Sequence, residues 1–116
     1  MKKIKTWEDV CKKLKIDPKQ LPDVTGLPEG IGSHLVSTYK LIRVAEALNG
    51  SWKPDWNNDD QYKYYPYWNM EGEFSLDGVY CAFSVSCVPS RLCFKSREIA
   101  NYAAETFLDL YKNILN

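Results

Sequence analysis

Few side chains in this 116-residue chain can do chemistry, and their spacing excludes more than it offers. The stretch "DWNNDDQYKYYP" places Asp55, Asn57 and Asp59 at the first three ligand positions of an EF-hand calcium loop. The sixth position needs glycine for its sharp turn and is Asp60; the twelfth needs a bidentate glutamate and is Pro66. A solvated turn closed by side-chain-to-backbone hydrogen bonds is expected instead. The four cysteines (Cys11, Cys81, Cys87, Cys93) include no CxxC pair, and the single histidine, His34, is far from them in sequence. A zinc tetrahedron is usually built from close ligand pairs, so no metal and no cofactor is expected. Cys81 and Cys87 stand six apart on one expected strand, roughly 20 Å at ~3.3 Å per residue, beyond disulfide reach. All four thiols are expected to be free, acting as small apolar residues.

Nucleophilic catalysis needs a base within hydrogen-bond reach of a thiol or hydroxyl, and no motif ties His34 to Cys93 or Ser90. "GLPEGIGSH" sets glycines before a helix, where amides can hold an anion, but it lacks the GxGxxG spacing, a preceding strand and a Walker lysine. Glu71 and Glu73 share strand parity beside Gly72 and read as a solvated strand entry. No catalytic residue is assigned. A small hydrolase or transferase with a cleft near His34 stands only as an alternative.

Aromatic residues are the remaining resource. "WKPDWNNDDQYKYYPYW", residues 52–68, holds seven rings in seventeen positions. The candidate binding residues are Trp52, Trp56, Tyr62, Tyr65 and Tyr67. Tyr64 and Trp68, four apart and therefore on one side of an extended strand leading to Phe74, are assigned to the core, and Trp56 is expected to be more exposed than Trp68. Lys53 and Lys63 face Asp55, Asp59 and Asp60, so the segment is net negative and unlike the basic, ring-lined groove that binds single-stranded nucleic acid. Nucleic acid is disfavoured. A protein interface suits such rings, and carbohydrate is the alternative ligand. The competing reading is structural, with rings packed under helices and their polar tips in water.

The elements that must position these groups follow from pattern. With 45% hydrophobic and 26% charged residues the chain is expected to fold as one α+β domain over residues 1–116. Residues 1–32 form its N-terminal helix and Pro/Gly-rich connector, and 33–116 its main body. Net charge is zero, although residues 1–20 hold seven lysines against three acids and residues 55–77 six acids against Lys63. The start lacks the apolar run of a secretory signal, and nowhere do eighteen apolar residues run together, so a cytoplasmic location with no membrane partner is expected. Thr6 caps a helix whose stripe is Trp7, Val10, Cys11 and Leu14. Residues 18–32 read as irregular. Ser33 is assigned as the cap of a second helix ending at Asn49-Gly50, a stop rather than a glycosylated sequon.

In "EFSLDGVYCAFSVSCV", Asp77-Gly78 reads as a two-residue hairpin turn that places Phe74, Leu76, Val79, Cys81, Phe83, Val85 and Cys87 on one face. Pro89-Ser90 turns the chain into a third strand, with Phe94 on the same face. Ser96 caps one last helix with the stripe Ile99, Tyr102, Ala103, Phe107, Leu110, Tyr111 and Ile114. The expected architecture is a three-stranded antiparallel meander with helices on one face, in the order ααβββα.

"YKYYPYW" and "SRLCFKSREIANYAAETFLDLYKNIL", with "ALNGSWKPDWN", resemble a group of small proteins from gut Bacteroides and their phages or mobile elements. The resemblance runs from about Thr38 to the end. It implies an origin in phage or mobile-element biology and no activity, and it assigns no site residue; the role expected from the residues themselves is that of a non-catalytic accessory or protein-interaction module.

Overall fold

Thr6 starts the first helix by a reciprocal cap. In the computed structural model, which describes residues 3–116, Thr6 Oγ1 accepts from the Asp9 amide at 3.2 Å and Asp9 Oδ2 accepts from the Thr6 amide at 3.2 Å. Helix α1 (Trp7–Leu14) buries Val10 and Cys11 and ends at Lys15, whose φ of 59° is left-handed.

Helix α2 (Glu29–Asn49) begins four residues before the expected Ser33. Pro28 presets its entry and Glu29 lies in its positively polarised first turn, so no side-chain cap is needed. Ser33 is inside the helix, where its hydroxyl, with that of Ser37, accepts from Asn113 Nδ2 at 2.9 Å each. Gly32 is there for packing: a Cβ would lie 3.0 Å from Val24 Cγ2, so its absence lets the connector close on the helix. The expected stop at Asn49-Gly50 is observed, and Asn49 is buried.

The sheet differs from the expected meander. Strands β1 (Lys63–Asn69) and β2 (Ser75–Ala82) are its only members among the described residues, antiparallel, with the reversal at 70–74 where Gly72 has φ 68°. Asp77-Gly78 is no turn. It lies inside β2, where the register passes from Tyr67↔Gly78 to Trp68↔Leu76 and leaves Asp77 as the extra residue of a bulge. Same-face apolar residues three apart, Leu76 and Val79, admit two solutions, a two-residue turn or a one-residue bulge. The bulge wins because it gives Tyr64, Pro66 and Trp68 a partner strand of matching parity.

No third strand forms from 83–95. Ser86 closes its own turn, its hydroxyl accepting from Val88 N at 2.8 Å and donating to Val88 O at 2.9 Å, which removes the segment from the ladder. Val85 is left 83% exposed. A 3₁₀ turn (Ser90–Leu92) follows, and Phe94 bridges Tyr64 on the far edge of β1, with N···O distances of 3.0 and 2.8 Å. The flanking Cys93 carbonyl and Lys95 amide, pointing the other way, bond to the Asn49 amide at 2.9 and 3.0 Å. Pro66 is tolerated in β1 because, two residues from Tyr64, its nitrogen also faces away from β2 and no ladder donor is lost.

Ser96 caps α3 (Arg97–Thr106) as expected, but the last helix is two: the backbone breaks at Phe107 and α4 (Leu108–Leu115) follows. The break serves two surfaces. Fully buried Ala100, Ala103 and Ala104 bring α3 close to its neighbours, and Arg97 donates to the Val79 carbonyl at the outer edge of β2. Beyond the bend, α4 lies along α2 and sends Tyr111 into the core. The order is therefore ααββαα, an α+β fold around Val10, Leu41, Val44, Leu48, Phe94 and Phe107. No helix among the described residues is long and apolar enough to cross a membrane.

Candidate functional site

Strand alternation distributes the aromatic block over two sheet faces. Tyr64, Pro66 and Trp68 pair with Cys81, Val79 and Leu76 on the face that joins the helical core. Trp68 stacks on Phe74 at 4.7 Å, tilts against Tyr111 at 5.0 Å and is half-buried, as Tyr64 is. The opposite face carries Lys63, Tyr65 and Tyr67 with Ala82, Tyr80 and Gly78. Here Tyr67 and Tyr80 stack at 4.5 Å and 15°, 47% and 46% exposed. Gly78, opposite Tyr67, offers no side chain, and the Tyr80 ring leans over it to donate to Asp77 Oδ2 at 3.1 Å. That bond holds the Tyr80 hydroxyl above the ordinary tyrosine range.

Lys63 is the residue that sequence reasoning missed. It is 0% exposed, and its ammonium donates to the carbonyls of Asn58 (2.9 Å) and Phe83 (2.6 Å) with the Trp56 ring 5.1 Å away. Burying an ammonium is costly unless acceptors such as these carbonyls replace the water it loses. This one pins the 53–62 loop to the end of β2. Its signal in the sequence was its isolation as the one base among six acids over 55–77. The loop itself is the expected hydrogen-bonded turn: Asn57 N donates to Asp55 Oδ1, and Asp60 N to Asn58 Oδ1, each at 3.0 Å.

The five candidate binding residues are not brought together. Tyr67 is exposed on the outer face. Tyr62, 48% exposed, stands edge-on to Phe83 at 4.8 Å and belongs by parity to the other face. Trp56 is half-buried, its indole N–H donating to Ser90 Oγ at 2.7 Å. Half-buried Trp52 walls a shallow groove of about 420 Å³ with Ile42, Glu46, Pro54 and Arg91. Tyr65 is also half-buried; burial pushes its hydroxyl up, with Cys87 the next contributor.

Cys11 and Cys93 are buried, Cys81 half-buried and Cys87 exposed, all with free thiols. Cys81 and Cys87 do not share a strand as expected, since β2 ends at Ala82, and both line one open depression. Burial pushes the Cys93 thiol up to about 11, against an opposing pull from Lys63. Among the described residues no three His, Cys, Asp or Glu side chains converge to hold a metal ion. His34 is exposed on α2; Thr38 donates to its backbone carbonyl at 2.9 Å, and no bond among the described residues joins its ring to a thiol or carboxylate. No protein-family model matches the chain, and searches of curated proteins and of solved structures find no significant match.

Proposed function

We propose that the protein is a non-catalytic protein-interaction module, of the phage or mobile-element kind its sequence resembles, acting in the cytoplasm and docking a partner protein on the outer face of the β1–β2 hairpin. The observation that carries this reading is the stacked Tyr67–Tyr80 pair, nearly half exposed on a sheet face turned away from α3. Two rings held against each other across the strands lose little side-chain freedom on binding, which is why rigid aromatics anchor interfaces. Neighbouring Asp77 and the acids of 55–77 give the surface a sign that favours a basic partner and disfavours nucleic acid.

The test compares the parent with a Tyr67→Ser/Tyr80→Ser variant of unchanged unfolding midpoint, by quantitative affinity capture from cells of the natural source. A partner held by the parent and reduced at least tenfold by the variant supports the reading. Equal capture by both defeats it. Binding to a neutral glycan that the variant loses would move the ligand from protein to carbohydrate.

A further inference from the structure

Residues 64–90 contain three acids, Glu71, Glu73 and Asp77, and no lysine or arginine. From Tyr64 onward the β1–β2 hairpin therefore carries charge of one sign only. Among the described residues Asp77 has no ion pair, and its carboxylate makes a single hydrogen bond, Oδ2 accepting from Tyr80. Oδ1 is left free. An exposed acid is ordinary, and what distinguishes this one is its position. In a regular strand Asp77 would share a face with Val79, two residues on, and point toward the core. The bulge removes that constraint. Asp77 is exposed, and its carboxylate meets the Tyr80 hydroxyl on the outer face at 3.1 Å. The bulge thus sets an anion at the hydroxyl end of an exposed aromatic stack.

The rings supply the other half of the surface. Stacking takes one face of each, yet Tyr67 and Tyr80 both remain nearly half exposed. An electron-rich ring with an anion at its rim attracts a cation, and a flat one best. A guanidinium can lie over the ring while its in-plane N–H groups turn to the rim, so it meets both partners at once. An ammonium is a compact, strongly hydrated point charge that satisfies one contact or the other. Two stacked rings make a platform and not a cage, so a quaternary ammonium would not be enclosed.

Granting the outer face as the docking surface, on which this step rests, we propose that the Tyr67–Tyr80–Asp77 platform receives an arginine side chain of the partner protein. Its guanidinium lies over the Tyr80 ring and donates to the free Asp77 oxygen.

The probe is a random peptide library selected on the full chain, with the Tyr67→Ser/Tyr80→Ser variant as counter-selection. Peptides that the parent keeps and the variant loses are expected to carry arginine about fivefold or more above its library frequency, with no comparable excess of lysine. In the tightest of them, replacing that arginine by citrulline, its neutral isostere, should weaken binding about tenfold in the parent and about threefold at most in Asp77→Asn. The amide oxygen of Asp77→Asn can still accept from Tyr80, so the stack stands and only the charge is lost. Glu71→Gln/Glu73→Gln should leave the tenfold factor unchanged, because those acids lie at the reversal and not beside the rings.

Equal enrichment of lysine overturns the arginine assignment and leaves the docking surface standing. So does a citrulline penalty that is the same in the parent and Asp77→Asn, or one that Glu71→Gln/Glu73→Gln abolishes. Peptides held equally by the parent and the double-serine variant, or a library that yields none, also overturn it. Capture from cells then says separately whether the docking surface fails as well.

Discussion

The aromatic block divides at Lys63 into two ring-bearing regions of different construction. Residues 63–69 form a strand whose inward rings, Tyr64 and Trp68, are packed against the core. Residues 52–62 form no regular element and are held by polar contacts: the Asp55 amide to Gln61 Oε1 at 2.6 Å, Gln61 Nε2 to the Lys53 carbonyl at 3.1 Å, and Trp56 to Ser90. A tryptophan in the strand contributes buried area, while one in the loop contributes an N–H and a π face. The difference teaches that ring count alone does not say whether a segment is core or surface. What matters is whether the backbone between the rings has a ladder to join.

The comparison breaks most sharply at the tryptophans. Trp68→Ala should cost about 3 kcal/mol, at the low end for an aromatic deletion because the ring is half-buried, and Trp56→Ala distinctly less. Urea unfolding midpoints measure both, and a larger loss at Trp56 would reverse the assignment of the two regions. Lys63→Met tests the hinge between them. It keeps the stem but strips the Asn58 and Phe83 carbonyls of a charged donor, so about 2 kcal/mol should be lost. Amide exchange should rise over 53–62 and remain low in 64–68; uniform protection would show that the loop does not depend on the ammonium.

Alkaline pH offers a milder probe of the packed region. The Cys93 thiol is pushed from an ordinary 9.0 up to about 11, so the folded chain keeps a proton that the unfolded chain releases first. Its contribution is full below about pH 9 and is lost as pH rises through the folded value. Midpoints taken from pH 8 upward should therefore fall less steeply in Cys93→Ala than in the parent, and parallel curves would refute the link. The smallest effect is expected on the outer face. Tyr67→Ser should shift stability by no more than about 0.5 kcal/mol, because that ring rests on Tyr80 and water rather than on the core. A loss comparable to that of Trp68→Ala would mean that the exposed stack is structural and not held ready for a ligand.

The parts legible in the sequence were those fixed by neighbours a few residues away. Thr6 with Asp9, Ser96 with Ile99, and Asn49 before Gly50 set helix ends because a cap and its amide are three or four residues apart. The alternation that gives Val79 and Cys81 one face was legible for the same reason, and so was the assignment of Tyr64 and Trp68 to the core, whereas Leu76 joins that face only through the bulge at Asp77. Three outcomes needed partners distant in sequence. Whether Leu76 and Val79 flank a turn or a bulge depended on β1 being available to pair. Whether 83–88 continued the ladder depended on where a third strand could dock, and Phe94 found Tyr64 instead. The break at Phe107 served two surfaces no local pattern encodes. The sequence by itself determined the caps, the alternation and the supply of rings, since these rest on bonds and periodicities within one turn or one strand. Tertiary structure alone decided which rings meet and which lysine is buried, because each depends on contacts between elements far apart in the chain.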